Sequence, residues 1–302
     1  MPCTSNATQR LVNRRSFLQT AALGTVALGV VGCRQLPRRN TLGPALHVAL
    51  LSDTHVPADR SEAYRRVKPW EHLQRAVPEM LAVKPVGAVI CGDAARLEGK
   101  VEDYIQLHTL LEPLAGAVPV YVGLGNHDDR ANFLSVFKKP AGTLAPVQGK
   151  HVTLIEHEAL RLIVLDSLHY PNKTAGHLGR NQRNWLSAFL SANSDRPVVL
   201  FVHHTLGDGD GDLLDSDRLF ALLQPHRQVK AIFYGHSHQW SIRRRSGLAL
   251  VNLPALGYNF TDRDPVGWVE ARFGRDGVHL QLHPLQPPTA QIAHTAYVAW
   301  AL

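Results

Sequence analysis

Carboxylates, an amide and imidazoles stand at five places in this chain directly after short apolar runs. They are Asp53-x-His55, Asp93, Asn126-His127-Asp128, His203-His204 and His236-x-His238. Together they make a pool of oxygen and nitrogen donors with no thiolate, which suits Mn, Fe, Zn or a similar divalent ion in a reactive site better than structural zinc. Seven of them (Asp53, His55, Asp93, Asn126, His203, His236 and His238) exceed what one ion with an open position needs, so two ions are the natural reading. The chain has 17 histidines, all after residue 44, and the eleven outside these breaks read as ordinary surface or core residues.

The elements that must position these groups are legible as apolar runs. Ala45–Leu51, Val86–Cys91, Val118–Val122, Pro197–Val202 and Val229–Tyr234 read as strands buried on both faces, each ending at one of the breaks. Read as extended chain beyond the first strand, Asp53 and His55, two residues apart, would point to the same side and face one ion. Helical spacing follows over Trp70–Val83 (interrupted by Pro78), Val101–Leu114, Ala131–Phe137, Arg180–Ala192 and Leu213–Leu223. That alternation predicts an α/β protein, mainly parallel, with helices outside and the ligands at the carboxyl ends of the strands. His151–Ile155 and Leu160–Leu165 are spaced as antiparallel neighbours, and Leu248–Leu253, Trp268–Phe273 and Val278–Leu282 read as further short strands. Gly207–Asp212 alternates glycine and aspartate, but Leu219 stands where a calcium loop needs its glutamate, which excludes that loop.

With 302 residues and 45% hydrophobic content, the chain can bury one large core. Its net charge of +7 invites a nucleic-acid reading, but residues 1–44 hold six arginines and no lysine or acidic residue, so removing those six leaves +1 for the rest. The basicity belongs to the leader, and no nucleic-acid partner is expected. Asn13-Arg14-Arg15-Ser16-Phe17-Leu18 is a paired-arginine segment, followed by an uncharged stretch to Gly32 that is too short to span a bilayer. It resembles a twin-arginine export signal, and Val30-Val31-Gly32-Cys33 resembles a bacterial lipobox. The expected organisation is a signal peptide over 1–32, a tether over 33–44 and a catalytic domain over 45–302. Lipidation at Cys33 would anchor the domain to a membrane, in the periplasm or cell envelope. Cys91, inside an apolar run, is expected to be a small core residue, and no intrachain disulfide is expected in the mature protein.

Taken together, Asp53-x-His55, Gly92-Asp93, Gly125-Asn126-His127-Asp128, His203 and Gly235-His236-x-His238 resemble the full motif set of the calcineurin-like metallophosphoesterases. The resemblance spans about residues 48–238 and implies a four-layer αββα sandwich of two mixed sheets. It implies that Asp53, His55 and His238 hold one ion, that Asn126, His203 and His236 hold the other, and that Asp93 bridges them. His204 would lie just behind the ligands. His127 would face the reacting phosphate with Asp128 orienting its ring, and metal-activated hydroxide would attack in line. No tyrosine follows Gly92-Asp93 closely, unlike the purple acid phosphatases. Asp166-Ser167 and Gly176-x-Leu178-Gly179-x-x-Gln182-x-x-Trp185-Leu186 are similar to the small cyclic-nucleotide and glycerophosphodiester phosphodiesterases, although Thr205-Leu206 replace the prolines often found after the paired histidines. The expected function is an exported dinuclear phosphoesterase acting on small phosphodiesters or monoesters. The alternatives are a nuclease of the same chemistry and a metal-bearing binding protein without turnover.

Overall fold

The computed structural model describes residues 45–286 and 292–301. The leader segments and Cys33 lie outside the described residues. In chain order the elements are β1 (Leu46–Leu51), α1 (Pro69–Ala82), β2 (Gly87–Cys91), α2 (Val101–Ala115), β3 (Val120–Gly123), α3 (Arg130–Val136), β4 (Thr143–Leu144), β5 (Thr153–Glu156), β6 (Arg161–Val164), α4 (Gly179–Ala192), β7 (Val198–Phe201), α5 (Ser216–Leu223), β8 (Val229–Tyr234), β9 (Ser241–Arg245), β10 (Leu248–Asn252), β11 (Val266–Phe273), β12 (Gly277–Gln286) and β13 (Thr295–Ala299).

They form two sheets, one ordered β13-β12-β11-β1-β2-β3 and the other β4-β5-β6-β7-β8-β10-β9. Period-2 alternation of apolar side chains explains the layering. Val48 and Leu50 of β1, Val89 of β2, Val199 and Phe201 of β7 and Phe233 of β8 fill the space between the sheets. Their neighbours Ala49, Leu51 and Ile90 face α1 and α2, while Leu200 and Ile232 face α4 and α5. The result is the four-layer αββα sandwich of two mixed sheets. The strands next to the site run parallel (β1-β2-β3 and β6-β7-β8-β10), while β11 joins β1 antiparallel.

Three local outcomes differ from the sequence reading. Helix α1 runs through Pro78, which lies on its exposed face. Strand β9, with three exposed arginines, pairs with β10 at the sheet edge and carries no apolar alternation to announce it. The aspartate–glycine loop reaches further than expected, so α5 begins at Ser216.

Candidate metal centre

The carboxyl ends of β1, β2, β7 and β8 converge, stitched by backbone bonds from Asp53 N to Gly92 O (3.0 Å), His55 N to Asp93 O (3.0 Å) and Gly235 N to His203 O (2.9 Å). The side chains gathered there fall into two groups. Asp53, His55 and His238 form one, and Asp93, His203 and His236 form the other; within each group one potential ligand atom per residue lies within 4.8 Å of the rest. Asp93 stands between them, its Oδ2 3.2 Å from His203 Nε2 and 3.8 Å from His55 Nε2. All but His236 are buried.

Asp53 and His55 do meet, though not by the alternation of extended chain. Asp53, His55, Asp93, His236 and His238 all adopt left-handed backbone, with φ between 45° and 68°. A sharp turn after each strand aims these side chains inward, and Asp and His are among the non-glycine residues that tolerate it best. Gly125 is required for a different reason. A Cβ there would stand 2.2 Å from Asp93 Oδ1, the oxygen that accepts the His127 backbone N–H at 2.8 Å.

The hydrogen bonds fix which ring nitrogens face inward. His55 Nδ1–H donates to Arg96 O (3.2 Å), His238 Nδ1–H to Tyr258 O (2.6 Å) and His203 Nδ1–H to Cys91 O (2.9 Å). That leaves the His55 and His238 Nε2 atoms facing each other at 3.2 Å, an arrangement that a shared proton or a bound cation satisfies. Asn126 Oδ1 is buried with no hydrogen-bond partner, while His203 Nε2 faces the Asp93 carboxylate at 3.2 Å. The orphaned oxygen, two carboxylates and inward imidazoles fit a pair of divalent cations.

The electrostatics agree. Burial pushes His55 down to about 3, and burial with the neighbouring His203 pushes His236 down to about 4, so both present free lone pairs. Burial alone would raise Asp53 and Asp93, but the facing imidazoles outweigh it and hold both carboxyls ionised. His203 goes the other way: Asp93 and Asp53 overcome its burial and raise it to about 9. Positive charge, proton or metal, is favoured at that point.

His127 and Asp128 separate. The ring of His127 is fixed by the carbonyl of Leu97, 2.8 Å from its Nδ1, and stands 5.3 Å from the ring of His55. Asp128 turns beneath the loop instead of orienting that ring. Its carboxylate accepts from Gly125 N (2.8 Å), Ala94 N (3.2 Å), Ala95 N (3.0 Å) and the Tyr104 hydroxyl (3.0 Å). Burial, reinforced by Asp93, pushes it up to about 6. An aspartate directly after the histidine closes its own turn, so its oxygens are spent on backbone donors. The sequence carried no signal for the Leu97 carbonyl, because a backbone acceptor has no residue type.

His204 packs edge-on to His203, with ring centroids 5.0 Å apart, and its Nδ1 lies 2.7 Å from Ser167 Oγ. Burial, with His203 and His236 adding to it, holds it well below the ordinary imidazole range. Gly176 is the residue that makes room for it, since a Cβ there would stand 2.3 Å from the ring. Gln182 clasps the end of β6 through both backbone groups of Asp166, at 2.9 and 2.8 Å. The Gly176–Gln182 pattern therefore builds the scaffold behind the centre. Cys91 is buried between the sheets.

A protein-family model described as calcineurin-like phosphoesterase matches residues 46–240. The chain belongs to that family. This phosphoesterase is 28% identical over 240 residues to a probable cyclic nucleotide phosphodiesterase of Rhodococcus erythropolis, covering 76% of this chain and 77% of that protein. It is also 28% identical over 216 residues to a glycerophosphodiester phosphodiesterase of Enterobacter lignolyticus, covering 69% and 76% respectively. Among solved structures, a dimetal phosphatase from Danio rerio superimposes with a TM-score of 0.68 at 15% identity, over 85% of this chain and 100% of that one, which establishes the shared fold. With its two ligand groups, the protein is a metal-dependent phosphoester hydrolase for two divalent ions.

Proposed function

We propose that the protein is an exported phosphodiesterase for small substrates. The observation that carries the reading is the arrangement of two ligand groups joined at Asp93, with the ring of His127 beside them. Asp53, His55 and His238 would hold one cation; Asp93, Asn126, His203 and His236 would hold the other. Bound divalent ions supply Lewis-acid charge to phosphoryl oxygens and lower the pKa of water. The chain's own residues do the rest. Leu97 O fixes His127 through Nδ1–H, so Nε2 is the atom left to meet the substrate. When doubly protonated, the ring donates to the leaving alkoxide or to the phosphoryl oxygens on which negative charge grows. A binding protein without turnover has no need of that group. The net +1 left after residue 44 supports small substrates over a duplex, and the relatives named above support a diester.

The paired arginines at 14–15 and the small residues before Cys33 support export and lipid anchoring. Replacing Cys33 with Ser should then release the protein from the membrane fraction. The activity test compares bis-p-nitrophenyl phosphate with p-nitrophenyl phosphate on protein stripped and reloaded with Mn or Zn. Faster diester cleavage, lost in His127→Ala with both metals retained, is the expected result. Monoester preference would overturn the diester reading, and no turnover with two metals bound would make it a binding protein.

A further inference from the structure

An aromatic wall rises from one side of the centre. Tyr258 stacks on His55 with centroids 4.8 Å apart and planes at 27°, and Phe260 stacks on His238 at 4.2 Å and 18°. Tyr64, from the loop after β1, packs on Tyr258 at 4.3 Å. Tyr258 is buried, but Phe260, on the ligand histidine His238, is 48% exposed and Tyr64, one ring further out on Tyr258, is 37% exposed.

The wall is built to hold its shape. Tyr64 and Val67 exchange backbone bonds of 2.8 and 3.0 Å across a tight turn through Arg65 and Arg66, both left-handed. Arg65 reaches Asp262 at 3.6 Å, tying this loop to the one that carries Tyr258 and Phe260. Behind them the Arg96 guanidinium lies 5.4 Å from the Tyr64 ring and 5.7 Å from the Tyr258 ring, held by Glu62 at 2.6 Å. Rings fixed before binding lose little entropy when a ligand stacks on them. On the side of His236, Gly211 sits over the ring, with the nearest point a Cβ could occupy 3.9 Å from His236 Nε2 and Thr174 alongside.

We infer that Tyr64 and Phe260 are specificity residues that stack against a planar aromatic substituent of the phosphodiester, a nucleobase-like ring in preference to a glycerol. This rests on the phosphodiesterase reading above and selects among its substrates. A phosphate bound at the cation that Asp53, His55 and His238 would hold would lie beside the wall, placing one substituent along it. A flat ring there gains stacking that a flexible polyol does not.

The experiment measures kcat/KM of the full, metal-loaded chain for adenosine 3′,5′-cyclic monophosphate and for glycerophosphoethanolamine. Wild type, Tyr64→Ala, Phe260→Ala and Phe260→Tyr are compared. The nucleotide-to-glycerol ratio should fall about tenfold in each alanine variant, through KM, and stay near wild type in Phe260→Tyr, which keeps the ring. An unchanged ratio in both alanine variants, with both substrates still cleaved, would overturn the inference alone. A wild type that cleaves neither substrate, nor bis-p-nitrophenyl phosphate, would overturn the phosphodiesterase reading beneath it. The two alanine variants sit on different loops, so a folding defect in one leaves the other to read the wall.

Discussion

Asp128→Asn separates support of the loop from orientation of His127. In the wild type, four donors converge on two carboxylate oxygens: Gly125 N and Ala94 N on Oδ2, Ala95 N and the Tyr104 hydroxyl on Oδ1. An asparagine keeps one oxygen and turns an NH₂ toward the other pair. Tyr104 can rotate its hydrogen toward the Asp129 carbonyl, 3.4 Å away, and accept from the amide instead. The Ala95 N–H has no such escape and is left facing a donor in a buried site. An orphaned buried donor, with the charge lost from the bonds that remain, costs about 3 kcal/mol. Urea unfolding at pH 7.5, above the value of about 6 to which burial raises this carboxyl, reads the loss directly. The variant should unfold at clearly lower urea, while the folded fraction keeps turnover within a few-fold, because Leu97 still holds His127. A wild-type midpoint combined with a hundredfold fall in kcat would refute this reasoning and return the orienting role to Asp128.

Other perturbations test the centre and the scaffold behind it. Asp93→Ala removes the carboxylate that stands between the two ligand groups, so metal content by elemental analysis should fall from two per chain to one or fewer; two retained ions would contradict a bridging position. Arg130 pairs bidentately with Asp166, which has no exposure, so Arg130→Ala should cost about 3 kcal/mol in urea unfolding, and a change under about 1 would count against it. Lys150 is pushed down to about 8 by burial, which outweighs the nearby Asp166. Between pH 8 and the free-lysine value of 10.5 the unfolded chain therefore binds more protons than the folded one, and stability rises with pH through that window. The stability of wild type relative to Lys150→Met should accordingly grow by up to about 3 kcal/mol from pH 7 to pH 10. A difference that is flat with pH would show that Lys150 is not held in this way.

The sequence carried the strands of the site because each obeys a simple rule: an apolar run buried on both faces, then a polar group where burial ends. It carried the composition of the centre for the same reason. It could not carry direction. Asp53 and His55 look like alternate residues of extended chain, yet both are left-handed and reach the same point by a tighter route. Asp128 looks like a partner for its neighbour His127, but an adjacent residue on a turn points away, toward the backbone donors it can close. The groups that orient the imidazoles are carbonyls of Arg96, Leu97, Tyr258 and Cys91, which any residue type would supply. Tyr258 and Phe260 were invisible for another reason: they come from a loop after β10, far along the chain from His55, which backbone bonds from Leu256 N to Ser52 O and from Gly257 N to Asp53 O seat against the end of β1.

That geometry has an energetic consequence. Five non-glycine residues in left-handed backbone surround the centre, each at a cost of about 1 kcal/mol or more. His55 and His238 add facing Nε2 atoms at 3.2 Å, and Asp53 and Asp93 add two buried charges. The sheets beneath supply a rigid apolar platform that sustains this conformation, and bound cations relieve the electrostatic part of it. Metal loading should therefore stabilise the fold and not merely enable turnover. At cation concentrations about a hundredfold above Kd the gain is about 3 kcal/mol per site, enough to raise the unfolding temperature by about 5–10 °C. Thermal melts with and without a chelator measure it. A Tm that chelation leaves unmoved, in protein shown to have lost its metal, would mean that the ligand groups are already satisfied without cations.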